Sequence, residues 1–197
     1  APDRLAARDA GHLVRFAFHP AHEYPPSVVR SFRYRLYPTN AQARRLDSWL
    51  NLIREIYNAA LQERRDAWRK QKLRVSLYDQ THALAGVREV RPEFNAVSIT
   101  ALRGALRRLD HAFAAFFRRC KTGEKPGYPR FRGRSRFGSI LLDDLGGRNP
   151  VVAGGKRVKV SLLGKVKFRQ HRPLEGIPKA IRLTRDTGGR WIETFVV

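Results

Sequence analysis

The sequence predicts an α+β fold, a small antiparallel β-barrel with a helical insertion between its first and second strands. Three observations predict it. One alternating stretch stands at 29–37, three helical patterns follow it, and the last third of the chain returns to short alternating segments punctuated by glycine and proline. One strand, then helices, then four or more strands does not suit a parallel βαβ sheet. A lone strand at 29–37 would have nothing to bury against, so it must return to the later ones.

Residues 1–29 lack sustained periodicity, contain Pro2, Pro20, Pro25 and Pro26, and do not begin with Met. They read as a poorly ordered leader with at most a short helical turn at 5–14. In 29–37, Phe32, Tyr34 and Leu36 face one way and Arg33, Arg35 and Tyr37 the other, the mark of a half-buried strand with a cationic outer face. Pro38 ends it. Thr39 and Gln42 make a capping box at the start of a helix over 40–70, whose apolar stripe is Leu46, Trp49, Leu50, Ile53, Tyr57, Ala60, Leu61 and Trp68. Trp49 and Tyr57 are expected in the core. Ser76 and Asp79 open a second, shorter helix to about Arg88, with Leu77, Thr81, Leu84 and Ala85 available to pack.

Pro92 breaks the chain before a third helix over 98–120. Its stripe is Ile99, Leu102, Leu106, Leu109, Phe113, Phe116 and Cys120, and Gly104 inside it implies close approach by another backbone. After Phe131 the character is β. Segments 157–160, 165–168, 180–183 and 191–197 alternate, separated by Gly154-Gly155, Gly164, Pro173, Gly176, Pro178 and the hairpin signal Gly188-Gly189.

Charge narrows the function. The chain has 197 residues, 42% of them hydrophobic, and a net charge of +23. That composition supports a real core, and that excess points to DNA or RNA as partner. From 102 to 136 eleven lysines and arginines stand against Asp110 and Glu124. Such a patch repels itself unless a polyanion neutralises it. No apolar run approaches the ~18 residues that span a bilayer, so no membrane partner is expected. The one cysteine, Cys120, can form no internal disulfide and reads as a small core residue. His12, His19, His22, His82, His111 and His171 are scattered without metal-ligand spacing. No secretory signal is visible, so the reducing cytoplasm, next to the nucleoid, is the expected location.

No catalytic constellation is found. Two-metal hydrolysis needs converging carboxylates, and the 17 acidic residues lie mostly on helix surfaces or in loops, Asp143-Asp144 among them. There is no Walker pattern, no Gly-x-Ser-x-Gly and no His-Glu-x-x-His. Binding chemistry remains: arginine forks for phosphate and guanine edges, aromatic rings for bases. The run Tyr128-Pro-Arg-Phe-Arg132 reads as a backbone clamp, with Phe131 in the core and Arg130 and Arg132 on phosphates. The candidates are Arg33 and Arg35 on the first strand, Arg103, Arg107, Arg118 and Arg119 on the third helix, and Lys121, Lys125, Arg130, Arg132, Arg134 and Arg136 beyond it, with Tyr128 as an aromatic among them.

Several pieces stand in an order similar to that of one family. They are Tyr34-Arg-Leu-Tyr-Pro-Thr39 with Gln42, Ile56-Tyr-Asn58, Leu77-Tyr-Asp-Gln80, Ala105-Leu-Arg-Arg-Leu-Asp-His-Ala-Phe113 with Phe116-Phe117, Gly127-Tyr-Pro-Arg-Phe131, and Gly164-Lys-Val-Lys-Phe168 with His171-Arg-Pro-Leu174. Over about 30–197 the chain resembles the N-terminal half of the TnpB/OrfB proteins of insertion sequences, long called transposases. The resemblance implies an RNA-guided DNA endonuclease related to type V CRISPR effectors. It implies an OB-like wedge barrel from 30–38 with 128–197, and a helical recognition lobe from 39–127. Together these would hold a structured guide RNA and double-stranded target DNA beside a short adjacent motif.

By similarity, Tyr78, Thr81 and His82 fall where the family contacts that motif, as do Ile99, Thr100 and Arg103. Arg103 stands where family members often have Gln. The family's RuvC-like nuclease domain, with its catalytic Asp and Glu and its four-cysteine zinc ribbon, starts just beyond the strand at 191–197. The expectation is that these residues do not cut DNA alone, that they hold no cofactor, and that Mg²⁺ and zinc belong to that further domain. The chain would then be a fragment or the product of a truncated gene. The rival reading is a stand-alone helix-turn-helix-like DNA-binding protein or nuclease-less repressor, with the third helix in a major groove. A non-specific basic protein is a distant third.

Overall fold

The computed structural model describes residues 29–143, 145, 150 and 156–197. The leader up to residue 28 with its helical turn at 5–14, Asp144 and the Gly154-Gly155 break lie outside the described residues.

Alternation makes the strands. β1 (Ser31–Tyr37) buries Phe32, Tyr34 and Leu36 and exposes Arg33, Arg35 and Tyr37. β3 (Arg157–Val160), β4 (Gly164–Arg169), β5 (Ala180–Arg185) and β6 (Trp191–Val196) follow the same rule, and β2 (Ser139–Leu142), a short strand the alternation reading passed over, precedes them. The strands form one antiparallel sheet in the order β2-β5-β6-β1-β4-β3. β1 therefore pairs with β4 and β6 and sits inside the sheet, as a strand with no sequence neighbour must. The expected barrel is not closed among the described residues: the sheet curls into a half-barrel with β2 and β3 at its edges.

Three helices lie between β1 and β2 in the chain: α1 (Asn40–Gln71), α2 (Leu77–Val90) and α3 (Ile99–Thr122). α1 starts with the expected capping box, in which Gln42 N–H donates to Thr39 Oγ1 at 3.3 Å and Thr39 N–H to Gln42 Oε1 at 3.0 Å. Gln42 also donates from Nε2 to the carbonyls of Leu163 and Lys165, at 3.3 and 3.1 Å. The same side chain thus caps α1 and ties it to the β3–β4 turn. One helical turn further on, Asp47 pairs with Arg185 at the end of β5, at 3.0 Å. Leu46, Trp49, Ile53 and Tyr57 are buried as expected, whereas Trp68 lies beyond the sheet, 52% exposed. The core is one continuous cluster running from these helices into the inner sheet face.

A polar knot joins the helices. The buried Gln80 of α2 donates to the Ala60 carbonyl at 2.9 Å and to Glu63 Oε2 at 2.7 Å, and accepts from Arg64 Nε at 2.8 Å. Arg64 then pairs with Asp110 of α3 at 3.0 Å and lies 5.2 Å over the Phe113 ring. Buried donors and acceptors left unmatched cost about 1–3 kcal/mol each, so this knot fixes how the three helices meet. Ala85, expected to pack, is instead exposed.

Two residues of the third-helix region depart from expectation. Cys120 is exposed, because the last turns of α3 run past the elements it packs on and burial on its stripe ends at Phe113. Phe131 is 46% exposed, and Phe137 takes the core position instead, 2% exposed and 5.9 Å from the Tyr57 ring.

Gly104 meets the close approach expected of it. A Cβ built there would lie 2.6 Å from the Leu141 carbonyl oxygen, so α3 touches the β2 backbone. Gly104→Ala is expected to destabilise the protein by about 1–3 kcal/mol, because overpacking against backbone outweighs the ~1 kcal/mol of helix propensity gained. Urea unfolding measures it, and an alanine variant as stable as the parent would contradict the contact.

Glu193 is the inward residue that strand alternation places between Trp191 and Phe195. It is fully buried and, among the described residues, neither carboxyl oxygen has a partner. Burial pushes its pKa from 4.5 up to about 8. The unfolded chain releases this proton near 4.5 while the folded chain keeps it, so stability falls as pH rises from about 4.5 to 8 and then levels. Glu193→Gln is expected to flatten that fall, matching the parent near pH 5 and exceeding it by a few kcal/mol above pH 8. Equal pH slopes in thermal unfolding of the two proteins would refute this.

Candidate nucleic-acid interface

The buried face of the sheet fixes what the other face shows. Outward positions carry Arg33 and Arg35 on β1, Arg157 and Lys159 on β3, Lys165, Lys167 and Arg169 on β4, and Arg182 on β5. No outward strand position carries a carboxylate. Registry sets like charges opposite one another: Arg35 faces Arg169, Arg157 faces Lys167, and Lys159 faces Lys165. Directly opposed like charges destabilise a sheet. A face built this way is suited to a polyanion. The sequence reading named Arg33 and Arg35 but passed over the other six, although each sits at an outward place in a strand it had recognised.

A second cationic cluster lies where α3 meets β2. Arg108 donates to Ser139 Oγ at 2.8 Å and to the Ser139 carbonyl at 3.2 Å, and lies 4.8 Å over the Phe137 ring. Burial, then the nearby Arg182 and Arg132 guanidiniums, push its pKa below the usual arginine value. Arginine stays charged all the same. Three cations crowd together here, and Arg182 joins the cluster to the outer sheet face.

The basic loop is held by a clamp that sequence reasoning missed. Asn58 of α1 donates from Nδ2 to the Arg132 carbonyl at 3.1 Å and accepts from the Arg132 N–H at 2.9 Å. The amide thus mimics a strand partner and pins the loop to α1 while its arginines point to solvent. Asn58 ends the Ile56-Tyr-Asn58 motif, but only tertiary structure shows what it holds.

The other candidates divide. Arg118, Lys121, Lys125, Arg130, Arg132, Arg134 and Arg136 are exposed, and Arg119 is half-buried with Glu124 at 3.9 Å. Tyr128 is 44% exposed and packs edge-on against Phe113. Arg107 is engaged by Asp143. Arg103 is half-buried, with Nε unpaired, and Thr100 lies beside it in the first turn of α3. On α2, Tyr78 is 70% exposed with its ring 4.5 Å from that of His82, while the Thr81 hydroxyl donates to the Leu77 carbonyl of its own helix at 2.8 Å. Among the described residues no three His, Cys, Asp or Glu side chains converge as a metal site. No helix among them is long and apolar enough to cross a membrane.

Comparison with known proteins bears on the family of the chain. A family model named HTH_OrfB_IS605, described as a helix-turn-helix domain, matches residues 28–72, which here form β1 and α1. A Streptomyces pristinaespiralis protein, to which the activity of an RNA-guided DNA endonuclease is ascribed, is 32% identical over 176 residues. That alignment covers 86% of this chain and 41% of the relative, so the chain spans about two fifths of the length of the curated protein it matches. A chain in the cryo-EM structure of the Cas12f1–sgRNA–target DNA complex aligns over 87% of this chain and 48% of its own, at 18% identity and a TM-score of 0.44. The family match at the N-terminal strand and helix, and a relative aligned along most of the chain, make this protein similar to the TnpB/OrfB proteins of insertion sequences.

Proposed function

We propose that this chain is the nucleic-acid-holding part of an RNA-guided DNA-targeting protein, and that its principal ligand is a structured guide RNA. The carrying observation is the outer sheet face, with eight cations, three opposed like-charge pairs and no carboxylate at an outward strand position; Asp186, just past β5, lies beside Arg33 and Arg35 but is bonded to Arg190. Folded RNA presents phosphates on a curved surface, which suits a curled sheet better than it suits one helix in a groove. The clamped loop with Arg130, Arg132, Arg134 and Arg136 extends the same potential. Target DNA is assigned to the helical side, where Tyr78, His82, Thr100 and Arg103 would meet a short adjacent motif. The wedge at 30–38 with 128–197 and the lobe at 39–127 are the matching division of labour.

The stand-alone duplex-binding reading is less favoured. It needs α3 free in a major groove, yet Arg107 is engaged by Asp143, Arg108 is bonded to Ser139, and Gly104 is pressed against β2.

The test is titration of the purified chain, stripped of copurifying polynucleotide, with the RNA encoded at its locus over a salt series. Arg35→Ala, Lys167→Ala and Arg169→Ala together are expected to weaken binding and lower the salt slope by roughly one unit per lost phosphate contact. Arg130→Ala with Arg132→Ala is expected to do the same from the loop. Failure to bind that RNA at about 150 mM salt, or a slope unchanged in both variants, would end the reading.

A further inference from the structure

The C-terminal turns of α3 carry more aromatic surface than the fold uses. Phe113 is buried, with Tyr128 edge-on at 5.6 Å and Phe117 at 6.2 Å. Phe116 meets Phe117 at 5.2 Å and Tyr128 at 5.3 Å. The inner half of this cluster is core. The outer half is not: Phe117 is 48% exposed and Tyr128 44%.

The charge of the segment that carries the outer rings is one-sided, the Asp110 carboxylate beside the inner ring Phe113 being paired with Arg64. Arg118, Lys121, Lys125 and Arg130 are exposed. Glu124 is the only carboxylate in 111–132, and Thr122 and Arg119 engage it, at 3.0 and 3.9 Å. An apolar protein segment would cover the rings and leave those cations without counter-charge. A nucleotide satisfies both, because its base has a flat π face and its phosphate is an anion. A duplex keeps its base faces inside its own stack, so the fitting form is unpaired.

We propose that Phe117 and Tyr128 form a stacking platform for unpaired bases of a single-stranded segment, with Arg118, Lys121, Lys125 and Arg130 on its phosphates. The proposal rests on the nucleic-acid reading above and adds the form of ligand. The Tyr128 ring is braced by Phe113 and Phe116, so it is already rigid when a base arrives, which lowers the entropic cost of stacking. RNA and DNA share the π face, and both are therefore tested.

The probes are a labelled short oligoadenylate, its DNA counterpart, and a fully paired hairpin of equal length. Phe117→Ala is expected to weaken single-strand binding about fivefold or more and leave the salt slope unchanged, since stacking releases no counterion. Phe117→Leu, which keeps apolar volume without the π face, is expected to lose as much, whereas Phe117→Trp retains binding. Hairpin affinity should not move. Phe131→Ala, 46% exposed but absent from the ring contacts, should change neither. Unaltered single-strand binding by Phe117→Ala, or equal losses for hairpin and single strand, would overturn the platform while leaving the RNA-holding reading intact. An unaltered chain that binds none of the probes would remove both.

Discussion

Arg35 looks across the sheet at Arg169, and no outward strand position carries an acid to neutralise either. An opposed like-charge pair costs on the order of 0.2–1 kcal/mol, and the sheet contains three. It tolerates them because the same period of two that sends cations outward sends Phe32, Tyr34, Leu36, Val166, Phe168 and Phe195 inward. Burying one such side chain contributes about 1.5–3 kcal/mol. Cohesion comes from one face and unspent potential from the other. The two cannot be separated, since a slip of one residue would exchange them.

The helices are fixed to this sheet by a few directional contacts. Gln42 reaches two carbonyls at the β3–β4 turn, Asp47 reaches Arg185, and Gly104 brings α3 onto β2. Apolar packing alone is tolerant of sliding and would not set one docking angle. Hydrogen bonds to backbone and a backbone-to-backbone approach do. Asn58 applies the same device to the basic loop, so that its arginines project from a segment held at its backbone.

Much of this was legible in the chain. Strand alternation found β1 and four of the five later strands, the capping boxes at Thr39 and Ser76 found two helix starts, and Gly104 announced a close contact. What escaped has physical reasons. β2 is four residues long and half-buried on its outward face as well, so its alternation is weak. Cys120 and Phe131 obey local patterns, but a stripe is buried only where something lies over it, and that is a property of the assembled fold. The expected barrel rested on strand count, whereas closure depends on whether edge strands meet, and β2 and β3 do not pair among the described residues. Glu193 sits in a recognisable strand, yet nothing local shows that its face is the inner one until β1 and β5 take their places beside it.

Net charge by itself could not have located the interface, because arginine does two jobs here. Arg64 binds Gln80 and Asp110 inside the helical knot, Arg107 holds Asp143, Arg91 holds Glu55 at 2.9 Å, and Arg185 holds Asp47. These guanidiniums already have carboxylates, and a phosphate would have to displace them. Arg33, Arg35, Arg169 and Arg182 stand on a surface where no outward strand residue is acidic. A phosphate arriving there relieves repulsion instead of breaking a bond, and repulsion relieved on binding adds to affinity at each site. Among the described residues the acids are therefore informative by where they sit: on the helices and turns they mark cations committed to the fold, and their absence from the outward strand positions is what supports assigning the cations there to a ligand.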